Sequence, residues 1–263
     1  MIARRLALGC SLFVVIRQTL KRRASSATGV DTVRIGGQCA RITPANEASR
    51  AAVMTSMSST SLLCEEIVGR CVELARSRGY EELRTGALGL LEQGVYIRAG
   101  FEPRSELRLL GAPTRRLRVP PSHGWQYATC RYDMLGRLAE TDQAAFGEDT
   151  GLGLAMLQEV ISATPRAVVR AAFDGAGGLA GYAVFGSASA IGYVQRLAVI
   201  PSARRSGAGR GLLGEGVAWM TSKAAERVFV NTELANTAAL NLYRSCGFED
   251  QPAVLSTLAF RLR

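Results

Sequence analysis

The sequence has one histidine, His123, and two lysines, Lys21 and Lys223, in 263 residues. His123 lies among Pro120, Pro121, Ser122 and Gly124, in a stretch without periodicity. A zinc site or a Ser-His-Asp triad would have to be built there, so no metal is expected. The six cysteines (Cys10, Cys39, Cys64, Cys71, Cys130, Cys246) contain no C-x-x-C pair, and the chain is far larger than a disulfide-stapled scaffold. A reduced, cytoplasmic protein is the expectation. The apolar run Leu6 to Ile16 is too short to cross a bilayer, which takes about 20 residues, and Arg17 to Arg23 follows without a clean cleavage site. Stable membrane insertion is therefore not expected. There is no G-K-[ST] sequence, which excludes a nucleotide-triphosphate loop.

The net charge is +10, and Arg4, Arg5, Arg17, Lys21, Arg22 and Arg23 supply six of those charges with no acid among them. The remainder of the chain carries only +4, almost all of its cations are arginine, and no nucleic-acid partner is expected. Residues 1–30 read as a basic and apolar extension, loosely packed or produced by a misassigned translation start. With 48% hydrophobic residues, the rest can bury a sizeable core in one large domain or two small ones.

Asp31 to Thr43 is compatible with a hairpin, while Ala45 to Thr60 has no clear pattern. Leu62 to Ser77 is an amphipathic helix by the spacing of Leu63, Ile67, Cys71 and Leu74, with Glu65 and Glu66 in its first turn and Gly79 at its stop. Glu82 to Leu88 reads as a strand, Leu90 to Ala99 as a helix, and Phe101 to Leu110 as an extended piece. Gly111 to Trp125, with its prolines and arginines, marks a linker, placing a lobe at 31–110 and a domain at 126–263. Beyond it, helices are expected over Met134 to Phe146 and Leu152 to Ser162. Strands follow over Ala167 to Phe173 and Leu179 to Gly186, joined by a glycine-rich turn. Ile191 to Ile200 is a strand, Gly209 to Ala224 a helix, Arg227 to Asn231 a strand and Asn236 to Cys246 a helix. Phe248 and Val254 to Leu262 close the chain.

The stretch from Arg196 to Leu213 combines an apolar strand, a basic glycine loop and a helix. Amides exposed at a glycine turn before a helix point at an anion together with the helix dipole. Arg204-Arg205-Ser206-Gly207-Ala208-Gly209 reads R-x-x-G-x-G, and Arg204, Arg205 and Arg210 add charge. A Rossmann site fits poorly, because Leu212 replaces the third glycine and Pro201 and two arginines intervene after the strand. Downstream, Asn236, Ala239, Leu242, Tyr243, Gly247 and Phe248 form N-x-x-A-x-x-L-Y-x-x-x-G-F.

Together, L-A-V-x-P-x-x-R-x-x-G-x-G and this second motif resemble the GNAT superfamily of N-acetyltransferases. The resemblance implies an α/β fold, with a mixed, mostly antiparallel sheet flanked by helices. It further implies acetyl-CoA as cosubstrate, its pantetheine arm beside Leu197, Ala198 and Val199, and its pyrophosphate on Arg204, Arg205, Ser206, Gly207, Ala208, Gly209 and Arg210. Asn236 then contacts the cofactor arm or orients a water. Tyr243 takes the general acid's role, which suits a phenol with an ordinary pKa near 10. The activity implied is acetyl transfer to a primary amine by direct attack on the thioester. An acyltransferase using longer acyl groups, a protein N-terminal acetyltransferase and a non-catalytic coenzyme A sensor are the alternatives, and a homodimer is possible. No carboxylate lies in Tyr193 to Arg196, so the base is unassigned, Glu233 being nearest in sequence. The acids Asp142, Glu148 and Asp149 fall where the family's first two helices border the acceptor, which suggests a cationic amine.

Val95-Tyr96-Ile97-Arg98-Ala99-Gly100-Phe101 repeats Leu242 to Phe248, with Tyr and Phe at the same spacing. Leu62 and Leu63 likewise correspond to Leu212 and Leu213. This resembles a tandem GNAT protein with a partial first copy. Thr55 to Ser61 of that copy has no glycine and no arginine where the second has Arg205 to Gly211. The first copy is therefore expected not to hold a pyrophosphate.

Overall fold

The computed structural model describes residues 29–57 and 63–262. The extension up to residue 28 and most of the Thr55 to Ser61 stretch thus lie outside the described residues. In chain order the elements begin with strands β1 (Asp31–Ile35), β2 (Gln38–Pro44) and β3 (Ala51–Ser56), then helix α1 (Glu65–Ser77). Next come β4 (Glu82–Thr85), β5 (Leu88–Gly89), α2 (Leu90–Arg98), β6 (Glu102–Pro113) and β7 (Gln126–Thr129). Helices α3 (Leu135–Thr150) and α4 (Leu154–Ser162) precede β8 (Arg166–Phe173), β9 (Leu179–Ala188) and β10 (Ile191–Val199). The chain ends with α5 (Ala208–Ser222), β11 (Arg227–Glu233), α6 (Thr237–Ser245) and β12 (Glu249–Arg261). It divides into two compact units, one of residues up to 108 with those after 251, the other Leu109–Gln251.

In the first unit, β1, β2 and β3 form an antiparallel meander. β3 then runs parallel to β4 over Ala51–Met54 and Glu82–Thr85, with α1 as the crossover. Helix α1 forms because Ile67, Val68, Cys71, Val72 and Ala75 recur on one face, and all of them are buried. They pack on Ile42, Met54 and Leu83, each aliphatic side chain contributing roughly 1.5–3 kcal/mol by leaving water. Residues 259–261 of β12 pair antiparallel with β4 in this unit.

The second unit repeats that order with a strand, β7, and two helices added before the meander. β7, β8, β9 and β10 are antiparallel, and β10 runs parallel to β11 with α5 as crossover. β9 is covered on both faces: Ala183 and Phe185 belong to the core under α5, Tyr182 and Val184 to the core under α3 and α4. This is why it reads as a continuous apolar run without alternation. Helix α5 lies close on the sheet because Gly216 leaves room for the Phe185 ring, while Gly192 of β10 faces the Met220 side chain of the helix.

The repeated heptapeptide folds identically in both units. In each, the amide of the phenylalanine donates to the carbonyl of the tyrosine, Phe101 to Tyr96 at 3.0 Å and Phe248 to Tyr243 at 3.1 Å. The glycine between them is left-handed, with φ +92° at Gly100 and +95° at Gly247. The rings meet edge-on at 5.5 and 5.7 Å. An L side chain is strained in that conformation, which accounts for glycine at both stops.

The expected linker, residues 111–125, differs from what is found. Leu110, Ala112 and Leu117 are buried in the second unit's core. Thr114 N–H donates to Glu226 O at 2.8 Å, and Arg118 N–H to Cys246 O at 2.9 Å. An irregular segment can satisfy its polar groups on a folded surface without periodicity, so composition alone does not separate a strap from a linker. Likewise, Phe248 and Val254 to Leu262 belong around one continuous strand, β12.

Candidate functional site

The site is assembled within the second unit from β10, the loop after it, α5 and α6. β10 pairs with β9 until Val194, slips register past Gln195, and resumes at Arg196. Gln195 is the extra residue of a bulge, and its side-chain amide donates to Val160 O of α4 at 3.0 Å. β11 follows β10 only over Ile191–Val194. Past the bulge, the edge of Arg196–Val199 turned away from β9 has no strand beside it among the described residues. Leu197 and Val199 pack toward the α5 core, whereas Ala198 is fully buried on the opposite face with Tyr182.

Pro201 ends the strand and opens a 3-10 turn, Pro201–Ala203. Arg205 then takes φ +63° and Gly207 φ +94°. Alternating left-handed residues turn successive N–H groups to one side, the geometry of an anion nest. Gly207 is the N-cap of α5, and the first helical bond runs from Gly211 N–H to Gly207 O at 3.0 Å. The amides of Ala208, Gly209 and Arg210 therefore precede any helical acceptor, and the helix dipole adds to them. Gly209 faces Leu197, Val199 and Leu242, where a Cβ would lie 3.5 to 3.7 Å from their side chains.

Two supports of this loop lie in the stretch expected to be a linker. Ser122 Oγ donates to Gly207 O at 3.0 Å, and Trp125 Nε1 donates to Ser206 O at 3.2 Å. Sequence reasoning missed both. Their partners are main-chain carbonyls more than 80 positions away, and a main-chain carbonyl leaves no mark in sequence. Arg204, expected to face the anion, instead donates from Nη2 to Ala145 O of α3 at 2.6 Å. It is a tie between the loop and α3, because a carbonyl within reach of a loop arginine satisfies it better than open water. Ser206 Oγ donates back to Ala203 O at 2.6 Å.

Asn236 is the N-cap of α6 rather than a residue of its face, its Oδ1 accepting from Ala239 N–H at 3.1 Å. Tyr243 is buried in the α5 core beside Phe248. Burial pushes its phenol well above the ordinary tyrosine range, and the charge of Arg196 pulls in the opposite direction.

Asp142 requires a correction. It is fully buried, and both its oxygens are taken: by Arg196 Nε and Nη2 at 2.8 and 2.6 Å, by Tyr182 Oη at 2.5 Å and by Leu152 N–H at 2.6 Å. Arg196 also donates to Thr150 O at 3.0 Å and lies over the Phe146 ring at 3.8 Å. A carboxylate with four internal donors does not recruit a cationic substrate. Glu148 and Asp149 also have partners of their own. Asp142, at least, is therefore committed to the interior and offers no oxygen to an acceptor amine.

The bulged strand that leaves its parallel neighbour beside an amide-rich helix start is the feature the second unit builds on a mixed α/β sheet. The sequence model of the Acetyltransferase (GNAT) family matches residues 134–248, and the second unit is a GNAT acetyltransferase domain. A partial second lobe of the same fold precedes it. The fold is similar to a tandem GNAT protein from the clavulanic acid biosynthesis pathway, with TM-score 0.61 and 15% identity over 91% of this chain and 85% of that one. It is also similar to a GCN5-related N-acetyltransferase from Sphaerobacter thermophilus, with TM-score 0.56 and 14% identity over 86% and 77%. A third, from Kribbella flavida, gives TM-score 0.52 and 17% identity over 87% and 88%. No curated protein sequence matches the chain. Among the described residues no helix is long and apolar enough to cross a membrane, and no group of His, Cys, Asp or Glu could hold a metal ion.

Proposed function

We propose that the protein transfers an acetyl group from acetyl-CoA to a primary amine. The observation that carries this reading is the open edge of Arg196–Val199, whose Leu197 and Val199 side chains meet Gly209 at the start of α5 together with Leu242 of the tyrosine helix. An extended pantetheine arm fits there as an added strand, taking the main-chain groups that β11 leaves free. The amides of Ala208, Gly209 and Arg210 suit the pyrophosphate, with Arg205 and Arg210 supplying charge. Main-chain N–H groups at Leu197 to Val199 polarise the thioester carbonyl, so that the oxyanion formed on attack is stabilised where it develops.

The amine nitrogen bonds to the acyl carbon as the carbon–sulfur bond breaks. The sulfur takes the Tyr243 proton, and the proton lost by the acylated nitrogen restores the Tyr243 phenol, so that amine plus thioester become amide plus thiol. The role of base is not assigned to Glu233, and Asn236 Nδ2 is the group that would reach the cofactor arm while its Oδ1 caps α6.

Thiol release from acetyl-CoA over a panel of primary amines tests this reading, with Tyr243→Phe measured in parallel. Turnover that falls about 100-fold in Tyr243→Phe is expected, the size of a lost general acid. Tight coenzyme A binding with no thiol release from any amine would instead make the protein a sensor.

A further inference from the structure

Arg196 and Leu197 are neighbours on the open edge, and successive side chains of a strand leave the sheet on opposite faces. Leu197 packs toward the core under α5. Arg196 pairs with Val184 of β9 and so shares its face, the one covered by α3 and α4. Gly209 and Tyr243 stand on the Leu197 side of the edge. A second substrate that comes to this edge from the α3 and α4 side therefore meets Arg196. Its guanidinium is already immobilised: Nε and Nη2 fork onto Asp142 at 2.8 and 2.6 Å, Nη2 also donates to Thr150 O at 3.0 Å, and the plane lies over the Phe146 ring at 3.8 Å. Asp142 is fixed in turn by Tyr182 Oη and by Leu152 N–H. Nη1 takes no part in this. It has no partner among the described residues and is not closed off from solvent, and a fifth of the arginine side chain is exposed. What remains is a charged donor whose position is set before any ligand arrives, which removes the ordering cost of binding. A guanidinium keeps its charge at any working pH and matches carboxylate oxygens.

We propose that Nη1 of Arg196 receives a carboxylate of the acceptor, so that the amine acetylated is one that carries a carboxylate near its reacting nitrogen, a free amino acid being the simplest member of the class. Arg196 is then a specificity-determining residue. The inference rests on the acetyltransferase reading above and narrows its acceptor. It reverses the expectation of an acidic acceptor site: Asp142 is engaged by Arg196, and the pair presents a donor toward solvent rather than a carboxylate. An amine with only apolar substituents makes no use of that donor.

The test measures thiol release from acetyl-CoA by the full chain with glycine, β-alanine, γ-aminobutyrate and a set of α-amino acids, each against its amide and against the amine lacking the carboxyl group. Where a set turns over, the carboxylate is expected to give a kcat/KM about tenfold or more above its amide, the size of a charge-assisted hydrogen bond, and mainly through KM. In Arg196→Gln that preference is expected to vanish. A general loss of structure lowers every member of a set and leaves the preference in place, so the comparison separates recognition from folding. A second measurement needs no variant: butyrate should inhibit the wild type competitively against the amine, and butyramide should not. Amides or bare amines used as well as carboxylates by the wild type, a preference undiminished in Arg196→Gln, or butyrate without effect overturns the inference while leaving acetyl transfer intact. A wild type without thiol release from any amine overturns the acetyltransferase reading and this inference together.

Discussion

Gly207→Ala perturbs the loop at the point where backbone and packing both require glycine. Its φ of +94° costs an L residue about 1–2 kcal/mol. A Cβ there would lie 2.5 Å from Ser122 Oγ, so the serine must move and lose its bond to Gly207 O, worth about 0.5–1.5 kcal/mol. Alanine also stiffens the unfolded chain, which returns about 0.4–1 kcal/mol. The net expectation is a loss of about 1–2 kcal/mol, or a fall of roughly 2–8 °C in Tm for a domain of this size. Thermal unfolding of Gly207→Ala, Ser122→Ala and the double variant separates the two contributions. Without the serine oxygen only the dihedral strain remains, so Gly207→Ala should cost about 1 kcal/mol less in the Ser122→Ala background. Equal costs in both backgrounds would refute the steric argument, and an unchanged Tm would refute the whole account. Calorimetric titration with coenzyme A adds a functional readout, in which the displaced amides should weaken binding.

Two further outcomes follow from the cores. Gly216→Ala places a methyl group against the Phe185 ring and should destabilise by about 1–3 kcal/mol through overpacking, measurable by urea unfolding. Tyr193 is buried with no partner for its hydroxyl among the described residues, and burial raises its pKa from 10 to about 12. The folded state therefore favours the neutral phenol. Its contribution is intact below pH 10 and is lost as pH climbs from 10 through about 12, up to about 3 kcal/mol at 1.36 kcal/mol per unit. Tyr193→Phe should flatten that alkaline fall and leave neutral stability unchanged or higher. A pH-dependent unfolding series with the same slope in both proteins would contradict this.

The helices were legible in sequence where one face is apolar and the ends carry their own signals. α1, read from the spacing of its apolar residues, and α2, α4 and α6 all lie within a few positions of the expected ranges. The repeat of Val95 to Phe101 in Leu242 to Phe248 was readable because a glycine stop and its aromatic pair are local, and local geometry is written in adjacent residues. The mixed, mostly antiparallel sheet was legible only through the family resemblance and its strand order not at all, since β9 is apolar on both faces and carries no period. The stretch from Gly111 to Trp125 was misread for the opposite reason: its bonds are to distant carbonyls, and prolines and arginines look alike in a strap and in a linker.

By itself the sequence determined the strand–loop–helix with its glycines and arginines, and the tyrosine helix downstream, because both motifs are continuous in the chain. Tertiary structure decided what those side chains do. It turned Arg204 away to Ala145 O, made Asn236 a helix cap, and closed Asp142 inside a cage with Arg196 and Tyr182. A charged side chain bonds to whatever polar atom the fold brings within about 3 Å, and that neighbour is set by packing across tens of residues rather than by the motif it sits in.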